Sequence, residues 1–156
     1  MLKTPEQWFA EYGESHQHPA NKAIHWVCVP LIVVSLVGLL WSIPTPAAFA
    51  DISPALNWGT LFILAATVYY FILSISLALG MLPFVLLVVA AVGWLDRLNW
   101  PLWSLCGAIF VVAWAGQFVG HAIEGRRPSF FQDMQFLMIG PVWLLGFIYR
   151  RLGLKY

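Results

Sequence analysis

Four histidines are the residues of this sequence best suited to chemistry, because most of the chain is apolar. Three lie close together near the N-terminus and the fourth far along the chain; they are His16, His18, His25 and His121. Neutral imidazole is a ligand for zinc, iron, copper and nickel. Three or four imidazoles that meet beside a carboxylate form a metal site with open coordination positions. The sequence therefore predicts a metal centre, provided that the elements carrying these histidines meet.

Other polar residues share helix faces with two of these histidines. Asn21 and His25 are spaced i, i+4, so their side chains lie on one helix face. Gln117, His121 and Glu124 are spaced i, i+4, i+7 and form one stripe. Polar groups near membrane depth usually face a bundle interior or a water-filled cavity. We therefore expect Asn21, Gln117 and Glu124 to adjoin the histidines.

The same residues also admit interpretations other than a non-haem metal centre. Histidines are amphipathic and suit a membrane interface, as in a small lipid-binding protein, and Glu124 then pairs with a nearby arginine. Haem is another alternative, because His25 and His121 on two helices of a bundle suit axial ligation. We favour a non-haem ion, since the polar residues lie at the edge of the membrane.

The composition is that of an integral membrane protein. Of 156 residues, 61% are hydrophobic and 10% are charged, against roughly 45–50% and 25% in soluble domains. So few charges do not cover a soluble surface, and a disordered chain is less hydrophobic. The net charge of +1 gives no basic field for nucleic acid. We expect an all-α integral membrane protein with a single domain over residues 1–156.

Charge-free stretches and prolines delimit the predicted helices. A bilayer core needs about 20 apolar residues per helix. Pro44 and Pro46 end the first stretch, and Gly80 and Pro83 divide the long second one. We predict four transmembrane helices, at about 24–42, 57–79, 81–95 and 101–120. The last apolar run, 135–149, is short for a span, so it is either a re-entrant segment or a fifth helix.

The positive-inside rule sets the predicted orientation. Loop 43–56 has no lysine or arginine and is placed outside, so residues 1–23, an amphipathic N-terminal segment with a helix over 4–15, are cytoplasmic. Four crossings then return the chain to the cytoplasm at His121. The basic residues that follow 149 also prefer that side, which favours a re-entrant last segment over a fifth span. All four histidines therefore lie on the cytoplasmic side.

Two motifs carry a resemblance to a known family. The N-terminal motif is Tyr12-x-x-x-His16-x-His18-Pro19-x-Asn21-x-x-x-His25. The second is Gln117-Phe118-x-Gly120-His121-x-x-Glu124-x-Arg126-Arg127-Pro128. Together with a closing Gln135-Phe136-x-x-x-Gly140-Pro141 segment, they resemble the membrane family of iron-dependent 2-hydroxy fatty acid dioxygenases. The resemblance covers nearly the whole chain.

The resemblance implies α-oxidation in lipid and sphingolipid metabolism. With Fe(II) and O2, a 2-hydroxy fatty acid becomes the fatty acid one carbon shorter. The implied iron ligands are His16, His25 and His121, with a set of further residues that bind the metal or hold its ligands: Glu124, His18, Gln117 and Asn21. We expect the substrate carboxylate to pair with Arg126 or Arg127 through a guanidinium fork, although these arginines also suit phospholipid headgroups. A bacterial member would lie in the inner membrane, whereas eukaryotic relatives lie in the endoplasmic reticulum. The resemblance is also compatible with a homo-oligomer.

Overall fold

The computed structural model describes residues 3–125 and 136–156, and these residues form seven helices. The helices are α1 (Pro5–Gly13), α2 (Pro19–Trp41), α3 (Ala47–Ile52), α4 (Trp58–Leu73), α5 (Ile75–Leu95), α6 (Leu102–Glu124) and α7 (Ile139–Leu152). Every regular element in the described ranges is helical, so the predicted all-α class is confirmed. The short helix α3, in the loop after α2, was not predicted.

Helix α1 occupies most of the predicted helix over residues 4–15. The Thr4 side chain accepts a hydrogen bond from the Gln7 N–H, and the Gln7 side chain accepts one from the Thr4 N–H. This capping box stabilises the first turn, where Pro5 also fits. The buried side chains of Phe9 and Tyr12 pack in a cluster with residues of α7. The apolar face of α1 is therefore covered by protein.

Helices α2 and α6 form the most extensive helix pair of the bundle. Glycines let the two backbones approach closely. A Cβ on Gly116 would lie 2.6 Å from Cys28 Sγ, and one on Gly120 would lie 2.3 Å from Asn21 Oδ1. The Gly116–Gly120 step thus serves the contact between α2 and α6 within the chain.

The long apolar stretch divides at Ser74, whereas we expected the division at Gly80 and Pro83, between spans 57–79 and 81–95. Ser74 has an extended backbone, and its hydroxyl accepts a hydrogen bond from the Leu77 N–H, which caps the start of α5. Pro83 lies inside α5. Neighbouring helices and local adjustments tolerate proline in apolar helices of membrane proteins, so Pro83 does not end this one.

Besides α5, two helices extend beyond their predicted bounds, and both of these extensions are on the histidine side. Helix α2 begins at Pro19 rather than at 24, because His18 caps it, and α6 runs to Glu124 rather than to 120. Gly125 closes α6 in the left-handed conformation, with φ 74°. His25 and His121 are consequently fixed by regular helix rather than by loops.

The helices form an apolar bundle suited to a membrane. By length and composition, α2, α5 and α6 can cross a bilayer, and α4 is a shorter apolar helix of 16 residues. Helix α7 has 14 residues, or about 21 Å, against a hydrocarbon core of about 30 Å. It packs against α1, α2 and α5 and buries most of its first half.

Candidate metal centre

Three of the four histidines meet at one end of the α2–α6 pair. His16, His25 and His121 are each at most 3% exposed, and one ligand nitrogen from each lies within 4.8 Å of the others. His16 Nε2 and His25 Nε2 are 2.8 Å apart. Two imidazole nitrogens on one ion lie at most about 4.2 Å apart, from a metal–nitrogen distance of about 2.1 Å. A small closure therefore lets this buried cluster hold one metal ion.

Each of these histidines comes from a different part of the fold. His16 lies in the loop between α1 and α2, His25 lies near the start of α2, and His121 lies in the last turn of α6. Only the packing of α2 on α6, with the preceding loop folded over their ends, brings the three together. The site therefore depends on tertiary structure, although the histidines themselves were identifiable from the sequence.

The backbone determines which nitrogen is free on two of these rings. His16 Nδ1 lies 2.6 Å from the Tyr12 carbonyl oxygen, and His25 Nδ1 lies 2.9 Å from the Asn21 carbonyl oxygen. A carbonyl oxygen only accepts, so each Nδ1 carries the proton and each Nε2 presents a lone pair. Two lone pairs that face each other at 2.8 Å make no hydrogen bond. A cation bound to both Nε2 atoms satisfies them, so the donor set fits a metal that binds neutral imidazole.

At neutral pH, His16 does not carry a second proton that could form a hydrogen bond between its Nε2 and that of His25. Burial lowers the pKa of His16 from its usual value of 6.5 to about 4, and this effect exceeds the opposing one of the Tyr12 carbonyl. The ring is therefore neutral under physiological conditions. A metal ion is a cation that suits the two facing nitrogens.

Glu124 holds the loop that carries His16. Its Oε1 accepts a hydrogen bond from the Gln17 N–H at 2.8 Å, and its Oε2 accepts one from the His18 N–H at 2.8 Å. Oε2 also accepts one from Asn21 Nδ2 at 3.1 Å. A carboxylate at the start of α2 is favourable for the helix dipole. In the described structure Glu124 thus lies beside the histidine cluster, with both oxygens engaged by the loop and α2.

The other predicted residues occupy different places around the cluster. Asn21 is fully buried, and its Nδ2 also donates to the Ser15 carbonyl oxygen at 3.3 Å. His18 is exposed and outside the cluster, where its Nδ1 accepts from the Ala20 N–H at 3.1 Å. Gln117 is buried and lines a cavity beside His25. Arg126 and Arg127 lie outside the described residues.

Two aromatic side chains brace His16. The Tyr12 ring stacks on the His16 ring with centroids 4.2 Å apart and planes at 9°. The Trp143 ring, from α7, lies 5.4 Å from His16 and 5.0 Å from Tyr12. Sequence reasoning gave Trp143 no role, because a tryptophan in an apolar run looks like an ordinary core residue. Its position shows that α7 forms part of the wall around the site.

A cavity opens beside the cluster. Its polar side chains come from His25, Gln117 and Tyr12, and the rest of its lining is apolar: Val29, Ile32, Trp114, Phe136, Leu137 and Gly140. A mainly apolar pocket with a few converging polar groups is the usual form of a small-molecule site. The pocket therefore offers a ligand direct access to the His25 face of the cluster.

An apolar helical bundle with a buried three-histidine cluster at one end defines a membrane protein whose site can bind a metal ion. The chain matches, over residues 2–152, the family described as "Mpo1-like: 2-hydroxy-palmitic acid dioxygenase Mpo1-like", and it belongs to that family. The predicted resemblance is thus confirmed.

One curated relative supports the same assignment. The chain is 29% identical over 145 residues to the 2-hydroxy-palmitic acid dioxygenase MPO1 of Saccharomyces cerevisiae, an alignment that covers 91% of this chain and 78% of the yeast protein. No solved structure matches the chain significantly. Family and relative together indicate an oxygenase of lipid metabolism.

Proposed function

We propose that the protein is an Fe(II)- and O2-dependent dioxygenase that converts a 2-hydroxy fatty acid to the fatty acid one carbon shorter. The observation that carries this proposal is the buried cluster of His16, His25 and His121 in a chain of this family. A ferrous ion there would supply a redox centre and a Lewis acid for the adjacent hydroxyl and carboxylate of the substrate.

The proposed reaction balances without another reductant. The bond between the first and second carbons breaks, the second carbon is oxidised to the new carboxyl group, and the first leaves as CO2. O2 accepts four electrons and forms one water besides the new carboxyl oxygen. Acid and O2 thus give the shortened acid, CO2 and water.

The chain's own residues hold the site in a form ready for this chemistry. The Tyr12 and Asn21 carbonyls fix the Nδ1 protons of His16 and His25, which directs both Nε2 atoms to one point. Aromatic side chains exclude water from one side, and the Gln117 amide faces the cavity that a substrate would enter. We retain the proposal that Arg126 or Arg127 pairs with the substrate carboxylate.

We also propose that the protein crosses the inner membrane of a bacterium four times, through α2, α4, α5 and α6. The length and apolar composition of three of these helices support this topology, and α7 is too short to span an ordinary bilayer unaided. Arg150 and Arg151 end α7 and favour the cytoplasmic side, where the metal centre would then lie.

The experiment that tests the function starts from protein purified without oxygen. We expect about one iron per chain, no Soret band, and conversion of 2-hydroxypalmitic acid to the acid one carbon shorter. His25→Ala should lose the iron and the activity because it removes one of three ligands. His18→Ala is the matched control, since that ring is exposed and outside the cluster, and it should retain both.

Other outcomes identify the alternatives. A Soret band would indicate haem, although three converging imidazoles suit a mononuclear ion better than haem iron, which takes at most two axial ligands. Protein that stays free of metal after Fe(II) is added, yet binds lipid, would indicate a lipid-binding protein. Full iron content in His25→Ala would contradict the ligand assignment.

A further inference from the structure

A second cavity lies near the one beside the metal centre. It lies among α2, α4, α5 and the residues that begin α7, and its walls include Val37, Phe62, Ala66 and Val88. Among the described lining residues Tyr70 contributes the one hydroxyl, and this hydroxyl donates to the Met138 carbonyl oxygen at 2.8 Å. A molecule that enters this cavity therefore contacts hydrocarbon side chains. The described lining offers it no polar side chain that is free to form a hydrogen bond.

Leu137 lines both cavities. The first cavity begins at His25, and the second reaches Val37 on the same helix. At a rise of 1.5 Å per residue, this path along α2 is about 18 Å long. Leu137 therefore stands between a space with polar groups at the histidines and a space with mainly apolar walls along α2.

This arrangement matches the two ends of a fatty acid. A carboxylate and its neighbouring hydroxyl need polar partners, which the histidine end provides. A hydrocarbon tail gains about 25 cal/mol for each Å² of apolar surface that it buries. Apart from the Tyr70 hydroxyl, the described side chains that line the second cavity are apolar. The tail would therefore lie beyond Leu137 when the polar end lies at His25.

We infer that the second cavity receives the acyl tail of the substrate and that Ala66 sets how long a tail it accepts. This inference rests on the proposed function. Ala66 lies on α4, one turn from Phe62 and one turn from Tyr70, at the middle of the wall. Its small side chain leaves the lumen open at that level. A larger side chain there would block the far half of the cavity.

The test compares Ala66→Leu with Ala65→Leu. Both residues lie on α4, but Ala65 is exposed on the outer surface whereas Ala66 is 9% exposed and lines the cavity. Each variant is placed in phosphatidylcholine nanodiscs, and kcat/KM is measured for 2-hydroxypalmitic and 2-hydroxydecanoic acids. We expect Ala66→Leu to lower the ratio of long-chain to short-chain kcat/KM by about tenfold or more, and Ala65→Leu to leave it unchanged.

A second variant guards against a folding defect in the first. Phe62→Ala enlarges the far end of the cavity, so it should raise the preference for 2-hydroxystearic over 2-hydroxypalmitic acid. If the chain-length ratios of Ala66→Leu, Ala65→Leu and Phe62→Ala all equal that of the wild type, the tail lies elsewhere and the inference fails while the proposed function stands.

A binding measurement separates the inference from the proposed function. Metal-free protein in the same nanodiscs is heated with palmitic or decanoic acid, and the shift in melting temperature is recorded. Palmitic acid should stabilise the wild type and Ala65→Leu but not Ala66→Leu, whether or not turnover is observed. Turnover without any such difference contradicts the inference. A selective loss in Ala66→Leu without turnover in the wild type supports the cavity and contradicts the proposed reaction.

Discussion

Each imidazole in the cluster has two nitrogens, and for His16 and His25 a backbone carbonyl four residues earlier settles which one is free. The Tyr12 and Asn21 carbonyls each accept the Nδ1 proton, so Nε2 is the nitrogen that each ring offers to a metal. The same i, i−4 spacing thus serves a loop histidine and a helical one. Such partners orient metal ligands and raise their basicity.

The low pKa of His16 predicts how the metal-free protein responds to acid. The folded-state pKa is about 4 and the usual value is 6.5, so between these values the unfolded chain binds the proton first. The stability that this group contributes is present above about pH 6.5 and is lost as the pH falls toward about 4. We expect the melting temperature of metal-free protein in detergent to fall over this range.

The control for that measurement is His16→Gln, which removes the titrating ring. Its melting temperature should depend less steeply on pH between about 4 and 6.5, whatever its absolute value. An unchanged slope would contradict the assignment of the pH dependence to His16.

Substitution of Glu124 can show whether this residue holds the loop or binds the metal directly. Glu124→Gln replaces one of the two accepting oxygens by an amide donor that faces a backbone N–H. We expect metal affinity to fall by about 10- to 100-fold, as for other groups that hold ligands in place. Glu14→Gln, on an exposed side chain of the same loop region, should leave affinity unchanged. Complete loss of metal binding in Glu124→Gln would instead indicate direct ligation.

The sequence predicted the histidines of the site but not the groups that orient them. Residue type and spacing were enough to single out His16, His25 and His121, because imidazoles are rare in this apolar chain. The carbonyl partners belong to the backbone, which every residue has, so residue types in the sequence do not identify them. Trp143 was also missed, since its contact with His16 depends on how α7 packs.

At the scale of helices, the position at which an apolar run divides was also not predictable from residue types alone. Gly80 and Pro83 are strong breakers in soluble proteins, yet α5 continues through both. Ser74 ends one helix and caps the next with a single hydroxyl, a weak signal among apolar residues. Hydropathy predicted an apolar helical bundle with four spans, and the described structure has three helices long enough to cross a bilayer and the shorter α4. The boundary at Ser74 depended on a local hydrogen bond.

Because α2 and α6 approach closely, we expect substitution of two glycines of α6 by alanine to affect stability differently. Gly120→Ala would place a Cβ 2.3 Å from Asn21 Oδ1, so we expect a loss of about 1–3 kcal/mol in the free energy of unfolding. A Cβ at Gly107 meets nothing within 4 Å, so Gly107→Ala should be neutral or stabilising. Thermal unfolding in detergent measures both.

Metal content adds a second readout to this pair. Asn21, against which Gly120 packs, also offers the carbonyl that holds His25. Gly120→Ala should therefore lower the iron content, and Gly107→Ala should not. Equal stability and equal iron content in the two variants would contradict the role of this contact.

For the whole molecule, the four-span topology makes a prediction about labelling. Single cysteines at Ala48, Glu14 and Lys155 would be placed on exposed positions, while the natural Cys28 and Cys106 are buried. In intact spheroplasts, an impermeant maleimide should label Ala48→Cys but label Glu14→Cys and Lys155→Cys only after the membrane is permeabilised. Labelling of Lys155→Cys alongside Ala48→Cys would indicate that α7 crosses the membrane.

The contact between Gln17 and Glu124 joins residues 107 positions apart in the chain. A ribosome makes the N-terminal end first, so His16 and His25 enter the membrane surface long before α6 has been synthesised. Two imidazoles without the third hold an ion less firmly, and the loop that carries His16 stays loose until Glu124 arrives. If the cluster binds iron as proposed, it is complete only once α6 has been made, so we expect a truncated chain that lacks α6 to retain no iron.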